Sequence, residues 1–507
     1  MRTSVDTLPP APLVTWRRLA PWLGLAAALV VFRTLLFVVH GTIAFDADQA
    51  VVGLMAKHIA EGRAFPVYQY ALPYVLMVTS WLVVPFFWVL GPTVTALKLP
   101  LLLINTGVGV ALVWAIVRVG VRPGVAVVLS LPMLLAAPVT SAGLMDALGM
   151  TVEPLAFVLA LWFTRRSPIV FGVIASIGFH VREFAAYGVA AVLALDLASG
   201  DGAKRAGLRH WALVALACVG CKAVVDAAAR FASPAGPDTW FLAEAEGNLS
   251  TLSGAFCFAP AQAWRNVIGL GSSYLGLIWG AQPSAIADGQ VHTHARQGLA
   301  GLWPLFGGLL ALLAGRLLWQ WRAVWAMRAT AGGQLGMFLL LVGAQAMLVY
   351  AISRCGPLSL LTVRYALLGV FLPTGLGLLV WLVEPRRSLR QALVVALLVV
   401  AAVNARAHAE MWREYWRAPL YSNRAQLAEA LERQGIRYAR SDYWTAYYVN
   451  FLTQERVVIG AETFSRIAIY ERTIEQHPDE VVQVATEPCG AAPAIVPGYY
   501  VCPARPR

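Results

Sequence analysis

Charged side chains are scarce in this sequence. Only 13% of its 507 residues are Asp, Glu, Lys or Arg, whereas 59% are hydrophobic. Soluble domains carry about 25% charged residues, so the sequence lacks the charge that keeps a chain of this length in water. Many windows are instead continuous apolar runs long enough to cross a bilayer. They predict a helical membrane protein with many spans.

Several motif classes are also absent, and each absence excludes a kind of protein. No P-loop, dinucleotide-binding fingerprint, zinc motif or G-x-S-x-G elbow occurs in a suitable context. The regular alternation of a transmembrane β-barrel is missing as well. The net charge of +12 comes from short arginine clusters between apolar runs. That pattern is typical of membrane topology, so no nucleic-acid partner is expected.

The six cysteines show no metal-ligand spacing. Cys218 and Cys221 fall within an apolar run and are expected to be core residues. Cys489 and Cys502 lie near the C-terminus, where a disulfide is expected if that end faces an oxidising compartment.

The apolar runs and the arginines together predict a topology. The first run is too long for a signal-peptide core and lacks a convincing cleavage site, so we interpret it as a retained span. If segment 73–90 is an interfacial helix, every arginine cluster falls on the side of the N-terminus, which predicts about 11 spans. The N-terminus is then cytoplasmic and the C-terminus extracytoplasmic. The runs are 19–40, 73–90, 93–117, 124–141, 150–164, 168–181, 184–198, 211–228, 299–317, 335–352, 360–383 and 390–404.

The first outer loop, 41–92, holds two carboxylates directly after the first span. Asp46 and Asp48 precede an apolar-periodic helix that is expected to end at Gly62. One interpretation is an interfacial linker whose aspartates cap the helix and face water. The other is a catalytic carboxylate held at the membrane surface. The stretch alone does not separate the two.

Other ionisable residues gather on the same predicted outer face. Each could be a solvated loop charge, but ionisable groups at the ends of spans are costly and commonly functional. The long outer loop, 229–298, adds His292 and His294. The candidate binding residues are Asp146, Glu153, His180, Arg182, Glu183, Arg354, Arg364 and Tyr365.

The C-terminal part changes character near Arg406, where charge rises. Helix and strand patterns alternate from Asn423 to Ile459, with Gly435 closing the first helix. We therefore divide the chain into a transmembrane domain, 1–404, and a small extracytoplasmic α/β domain, 405–507.

These features resemble the GT-C superfamily of polytopic glycosyltransferases, which includes protein O-mannosyltransferases and lipid-A aminoarabinose transferases. Asp48-Gln49-Ala50 lies where that superfamily carries an acidic motif, and GLMAKHIAEGRAFPVYQYALPY is similar to its interfacial helix and aromatic segment. Arg364-Tyr365 before an apolar span is similar to an Arg-Tyr element. Two positions depart from the pattern, because Gln49 and Thr79 stand where acids are common.

The resemblance implies a fold and a reaction. The fold is an α-helical polytopic membrane protein with interfacial helices in the first outer loop. The reaction moves a sugar from a polyprenyl-phosphate donor to a glycan, lipid or protein acceptor, at the outer face of the bacterial cytoplasmic membrane. No cofactor is required; some relatives use a divalent metal, but no residue pattern here supports one.

The resemblance also assigns roles to the candidate residues. Asp48 is the expected base, because an inverting transfer needs a carboxylate to take the acceptor proton. Asp46, Asp146 and Glu153 are expected to orient the acceptor or bind sugar hydroxyls. The lipid phosphate is expected to bind arginine in a partly dry cleft, and the candidates are Arg182, Arg354 and Arg364.

Three alternatives remain at this point. An O-antigen-ligase-like enzyme would use arginine and histidine in a large outer loop, which keeps His292 and His294 of interest. A polyprenyl-lipid transporter or flippase would place ionisable residues near mid-span and show internal repeats, which the sequence does not. A non-catalytic envelope scaffold is the third.

Overall fold

The structure is a computed structural model, and α-helices make up most of it. It describes residues 15–199, 204–232, 259–270, 284–287, 290–293, 303–353, 356, 358, 360–417, 422–462, 464–490 and 493–503. The helices are α1 (Trp16–Val39), α2 (Ala47–Ala60), α3 (Val78–Leu90), α4 (Val94–Arg118), α5 (Pro123–Leu134), α6 (Pro138–Gly143), α7 (Glu153–Thr164), α8 (Pro168–Val181), α9 (Ala186–Ser199), α10 (Lys204–Ala232), α11 (Pro260–Gly269), α12 (Trp303–Trp319), α13 (Trp321–Ala326), α14 (Ala331–Ile352), α15 (Phe371–Val383), α16 (Arg387–Arg417), α17 (Asn423–Arg433), α18 (Tyr443–Leu452) and α19 (Ala468–Gln476).

Within the described ranges, six helical stretches are long and apolar enough to cross a membrane. Five shorter apolar helices accompany them, of 10–17 residues each. The predicted count of about 11 spans stays a prediction, because length alone does not decide whether a short helix crosses. The six long stretches are Trp16–Val39, Val94–Arg118, Gly207–Arg230, Ala331–Ile352, Arg364–Val383 and Arg387–Arg417.

Segment 73–90 is not one helix. It begins in strand β2 (Leu72–Leu76), which pairs with β1 (Tyr68–Gln69), and continues as α3. A helix of 13 residues is about 20 Å long, shorter than the roughly 30 Å apolar core of a bilayer. This length agrees with an interfacial position for α3, although its depth in the membrane stays a prediction.

The C-terminal unit, residues 422–503, contains a four-stranded sheet of order β6-β5-β7-β8. Strands β5 (Tyr438–Ser441), β6 (Val458–Ala461) and β7 (Val481–Ala485) are parallel, and β8 (Tyr500–Pro503) is antiparallel to β7. The predicted helix–strand–helix–strand order is present as α17, β5, α18 and β6. Gly435 has a φ of +69° just after α17, a conformation that favours glycine.

Helix α2 forms the contact between the membrane helices and this unit. It packs on α3 on one side and on α18 on the other. A Cβ atom added at Gly53 would lie 2.5 Å from Cε2 of Phe451, so the two helices approach this closely only because residue 53 is glycine. Phe45 extends the contact, with ring centroids 5.1 Å from Tyr448 and 5.5 Å from Phe451.

This packing encloses α2. Lys57 and His58, which the helical spacing puts on other faces than the apolar residues, are both buried. Glu455 of the C-terminal unit accepts from both, and Arg63 and Tyr470 also donate to it. The polar face of α2 is therefore covered by protein.

Two predicted boundaries fall inside helices. The long outer loop was expected to begin at 229, but α10 continues to Ala232. The division at 404 lies within α16, which runs on to Arg417. The change of composition near Arg406 therefore falls within one continuous helix.

The predicted disulfide is present. Cys489 and Cys502 are bonded, with 5.9 Å between their Cα atoms, and the bond ties the segment after β7 to β8. Cys218 and Cys221 are free and half-buried in α10.

Candidate functional site

Asp48 lies in the first turn of α2 and is contacted from two parts of the chain. The hydroxyl of Tyr443 donates to its Oδ1 at 2.7 Å. Arg364 Nη1 lies 3.8 Å from Oδ2, and Arg466 Nη2 lies 3.7 Å from Oδ1. The carboxylate is 17% exposed, so it remains open to a ligand while one donor and two cations surround it.

Asp46 is the residue that caps α2. Its side chain accepts from the backbone N–H of Gln49 at 3.0 Å, the usual role of an N-cap aspartate. Burial raises the pKa of Asp46, and the nearby Asp48 carboxylate adds to the shift. The two predicted catalytic aspartates thus differ in their contacts: Asp46 caps α2, and Asp48 accepts a hydrogen bond from Tyr443.

Gln49, where an acid is common in the resembled family, joins the first loop to Asp146. Its Nε2 donates to the carbonyl of Ala44 at 3.0 Å and to Asp146 Oδ1 at 3.3 Å, and its Oε1 accepts from Ala147 N. Burial, reinforced by Asp46, raises the pKa of Asp146 to about 8. The amide fits this position because it can donate to one group and accept from another.

Lys98 of α4 is fully buried beneath the same loop. Its ammonium donates to the carbonyl of Ala44 at 2.6 Å and opposes the negative charge of Asp46 and Asp146. The cluster of three aspartates therefore has a cation below it, which lowers the cost of holding the carboxylates together.

Glu153 contacts Thr79, the second position at which this sequence lacks an acid that is common in the resembled family. The Thr79 hydroxyl donates to Glu153 Oε1 at 2.6 Å, and Thr151 N donates to Oε2 at 3.2 Å. Glu153 is only 3% exposed. A carboxylate thus lies beside α3 although α3 itself supplies a threonine there.

Arg364 and Tyr365 lie on a 3₁₀ segment (Leu360–Val370) that leads into α15. The guanidinium of Arg364 is 5.4 Å from the Tyr365 ring, and this ring meets Phe184 edge-on at 5.9 Å. Arg182 lies 6.0 Å from the other ring, Phe184. The structure thus places Arg182 and Arg364 around one aromatic pair, and the Nε atom of each is buried without a hydrogen bond among the described residues.

The other predicted residues have different neighbours or lie outside the described residues. His180 bonds to the carbonyl of Ser176 at 2.7 Å, and Glu183 lies 3.6 Å from Arg182. Arg354 and His294 lie outside the described residues. His292 is paired with Ala285 between β4 (Gln290–Thr293) and β3 (Ser284–Ala287).

Sequence reasoning missed Tyr443, Arg466 and Lys98. Lys98 lies within an apolar run, where a lone buried lysine was itself a signal. Tyr443 and Arg466 follow the composition change near Arg406, in the segment that the sequence predicts to be a separate domain. The aromatic-rich sequence around Tyr443, SDYWTAYYVNF, is the signal that could have drawn attention to it.

No group of three or more His, Cys, Asp or Glu side chains that could hold a metal ion occurs in the described part of the chain. The acids near Asp48 instead contact amides, hydroxyls and cations. That the protein requires no cofactor stays a prediction from the sequence.

The sequence matches no protein-family model and no curated protein. Two crystal structures of ArnT from Cupriavidus metallidurans are similar to most of the chain. The form bound to undecaprenyl phosphate has a TM-score of 0.51 at 12% identity, covering 91% of this chain and 89% of that one. The apo form has a TM-score of 0.39 at 14% identity over the same shares. The first comparison shows that this chain shares the fold of that ArnT structure, and six of its described helical stretches are long and apolar enough to cross a membrane.

Proposed function

We propose that this protein is a membrane glycosyltransferase that moves a sugar from a polyprenyl-phosphate donor to an acceptor. The observation that carries the proposal is Asp48, a half-buried carboxylate hydrogen-bonded by Tyr443 and lying within 4 Å of two arginines. The fold shared with ArnT supports it. The reaction takes place at the outer face of the bacterial cytoplasmic membrane, with the N-terminus inside and the C-terminal unit outside.

Asp48 acts as the general base. It takes the proton of the acceptor hydroxyl as that oxygen attacks the anomeric carbon of the donor sugar. The bond between the anomeric carbon and the phosphate oxygen breaks, and its electron pair leaves with the lipid phosphate. Attack from the face opposite the leaving group inverts the configuration at this carbon.

The leaving phosphate is anionic and needs donors in a partly dry environment. Arg364 and Arg182 are the candidates, because the buried Nε atom of Arg364 has no hydrogen bond among the described residues, and that of Arg182 has an ion pair with Glu183 at 3.6 Å and no hydrogen bond. ArnT has been crystallised with undecaprenyl phosphate, and this chain covers 89% of that structure. A polyprenyl phosphate is therefore the lipid carrier that we assign to the donor.

Asp146, Glu153 and Asp46 shape the site around the base. Burial raises the pKa of Asp146, so its carboxyl group holds a proton more readily and can donate to a sugar hydroxyl. Glu153 is bonded by Thr79 and Thr151, so it orders the chain behind Asp146. Glu183 lies beside Arg182 and Tyr365 beside Arg364, so we assign both to the donor side, together with His180.

The test is sugar transfer in membranes. Vesicles containing the protein receive a radiolabelled polyprenyl-phosphate sugar, and labelled product is followed against vesicles with Asp48→Asn. The expected result is transfer by the wild-type protein and a loss of about 10²–10⁴-fold in the variant, the range for general-base catalysis. Movement of intact labelled lipid across the bilayer without cleavage of the sugar–phosphate bond would instead support a flippase.

A further inference from the structure

The C-terminal unit reaches the carboxylate that the proposed function makes the base. Two of its side chains are involved: Tyr443 at the start of α18 and Arg466 in the loop before α19. We propose that Tyr443 and Arg466 are positioning residues for Asp48, so that the C-terminal unit is an integral part of the active site. This inference rests on the proposed function.

The contacts form a directed chain. Arg466 Nε donates to the Tyr443 hydroxyl at 2.7 Å, and that hydroxyl donates to Asp48 Oδ1 at 2.7 Å. A hydroxyl that accepts from a guanidinium is a stronger donor to a carboxylate. Oδ1 is occupied in this way, so Oδ2 is the oxygen left to take the acceptor proton.

Both side chains are fixed from behind. Tyr443 begins a helix capped by Asp442, which accepts from Trp444 N at 2.8 Å and from Thr445 N. Arg466 Nη1 donates to the carbonyl of Tyr70 at 3.3 Å, and its side chain is 12% exposed. Rigid support of this kind holds a reacting group within the narrow range of productive geometry.

Docking of the unit also rests on contacts that Tyr443 and Arg466 do not make. Glu455 accepts hydrogen bonds from Lys57, His58 and Arg63, and Phe451 packs against Gly53. Removing one hydroxyl at Tyr443 therefore leaves the unit in place and changes only the restraint on Asp48. This separation makes the positioning role testable.

The kinetic test uses Tyr443→Phe, Arg466→Gln and Arg466→Lys in the full-length protein. The matched controls are Tyr438→Phe and Arg456→Gln, in the same unit, where Tyr438 faces His477 and the exposed Arg456 pairs with Glu432. We expect kcat to fall about 10–100-fold in the first two variants, as for a small displacement of a reacting group, with donor KM little changed. Arg466→Lys should recover part of the loss.

The pH–rate profile supplies the readout that a structural role would not move. Removing a donor to the ionised carboxylate disfavours that form, so the acid limb of Tyr443→Phe should shift to higher pH. A fall in kcat with an unshifted acid limb, or an equal fall in Tyr438→Phe, would overturn the proposal.

A second measurement does not need activity. Melting temperatures of wild type, Tyr443→Phe, Asp48→Ala and the double variant form a cycle. We expect Tyr443→Phe to lower the melting temperature only when Asp48 is present. Additive shifts overturn the inference even if the wild type transfers sugar. If the shifts are coupled but the wild-type protein transfers no sugar, the proposed function is overturned, and with it a role of Tyr443 in transfer. The contact between Tyr443 and Asp48 is then still supported.

Discussion

Asp46 and Asp48 are two residues apart, yet their contacts separate the two hypotheses made for them. The cap of α2 is Asp46, which accepts from Gln49 N. Asp48 makes no such contact among the described residues and is bonded instead by Tyr443. The competing idea that Asp48 serves as the helix cap is therefore not what the structure shows.

Substitution at Asp46 should affect stability more than chemistry. Asp46→Asn should keep the cap and most of the turnover, because Asn and Asp cap a helix about equally well. Asp46→Ala should lose about 1 kcal/mol of stability. Melting temperature and turnover at saturating donor are the measurements, with Asp48→Asn as the contrasting variant. Turnover in Asp46→Asn as low as in Asp48→Asn would make Asp46 a catalytic residue.

Arg364 carries the prediction for the donor. Arg364→Ala should weaken binding of the polyprenyl-phosphate sugar by about 1–3 kcal/mol, the scale of a hydrogen bond to a charged group. Arg364→Lys should recover only a point charge, since the guanidinium can bond a phosphate through two N–H groups. Donor affinity is measured directly in detergent, and Arg456→Gln is the control. Unchanged affinity in Arg364→Ala would remove it from the donor site.

At the scale of elements, α2 is a helix enclosed on both sides. Its apolar residues pack on α3 and its polar residues meet Glu455. Gln454 and Glu455 both have positive φ, at +53° and +65°, in the turn after α18. This conformation is uncommon for residues with a side chain, so the contacts of Glu455 offset its cost.

Gly53 tests how closely α2 and α18 must approach. Gly53→Ala should destabilise the protein by about 1–3 kcal/mol, because the added methyl meets the buried Phe451 ring. Turnover should fall as well, since separation of the helices draws Tyr443 away from Asp48. Gly107→Ala on α4 is the control, because no atom lies within 4 Å of its added Cβ. Equal melting temperatures for the two variants would contradict the close contact.

The contact of α2 with Glu455 predicts that docking of the C-terminal unit depends on pH. Burial lowers the pKa of His58 from 6.5. The pKa of Glu455 is lowered from 4.5, because its hydrogen bonds and charge contacts with His58, Arg63 and Lys57 outweigh the opposite effect of burial. In both cases the undocked state binds more protons, so docking weakens as pH falls. The loss should begin below about pH 6.5 from His58 and deepen below about pH 4.5 from Glu455.

Hydrogen exchange measures this docking. Amides of α2 should lose protection between pH 7.5 and 5.5 after correction for intrinsic exchange rates. His58→Gln should reduce the loss of protection in this range, whereas His477→Gln, which lies outside the contact between α2 and Glu455, should not. Protection that is constant down to pH 5 would contradict the assignment.

At the scale of the molecule, the orientation in the membrane is the open prediction. The arginine clusters predict that the segments 120–123 and 386–390 lie in the cytoplasm. Ser388→Cys should resist a membrane-impermeant maleimide added to intact cells, and Gln476→Cys in the C-terminal unit should react. Both positions are exposed to solvent. The unsubstituted protein controls for native cysteines, and labelling of Ser388→Cys from outside would reverse the topology.

Local patterns determined much of this fold. The apolar runs identified the long helices, and Gly62 and Gly435 marked helix ends, because period and capping depend on residues within a few positions. The order of α17, β5, α18 and β6 followed from the same local signals. Asp48 was found because it lies directly after the first span.

Only the tertiary structure decided what surrounds Asp48. Tyr443 is 395 residues away along the chain, and Glu455 lies 398 residues from Lys57. Each segment bears a pattern that fits several partners, and water would satisfy Lys57 and His58 as well as Glu455 does. The partner is selected by the packing of whole surfaces, in which Gly53 admits Phe451 and brings α18 onto α2. No pattern within either segment predicts which segment it will pack against.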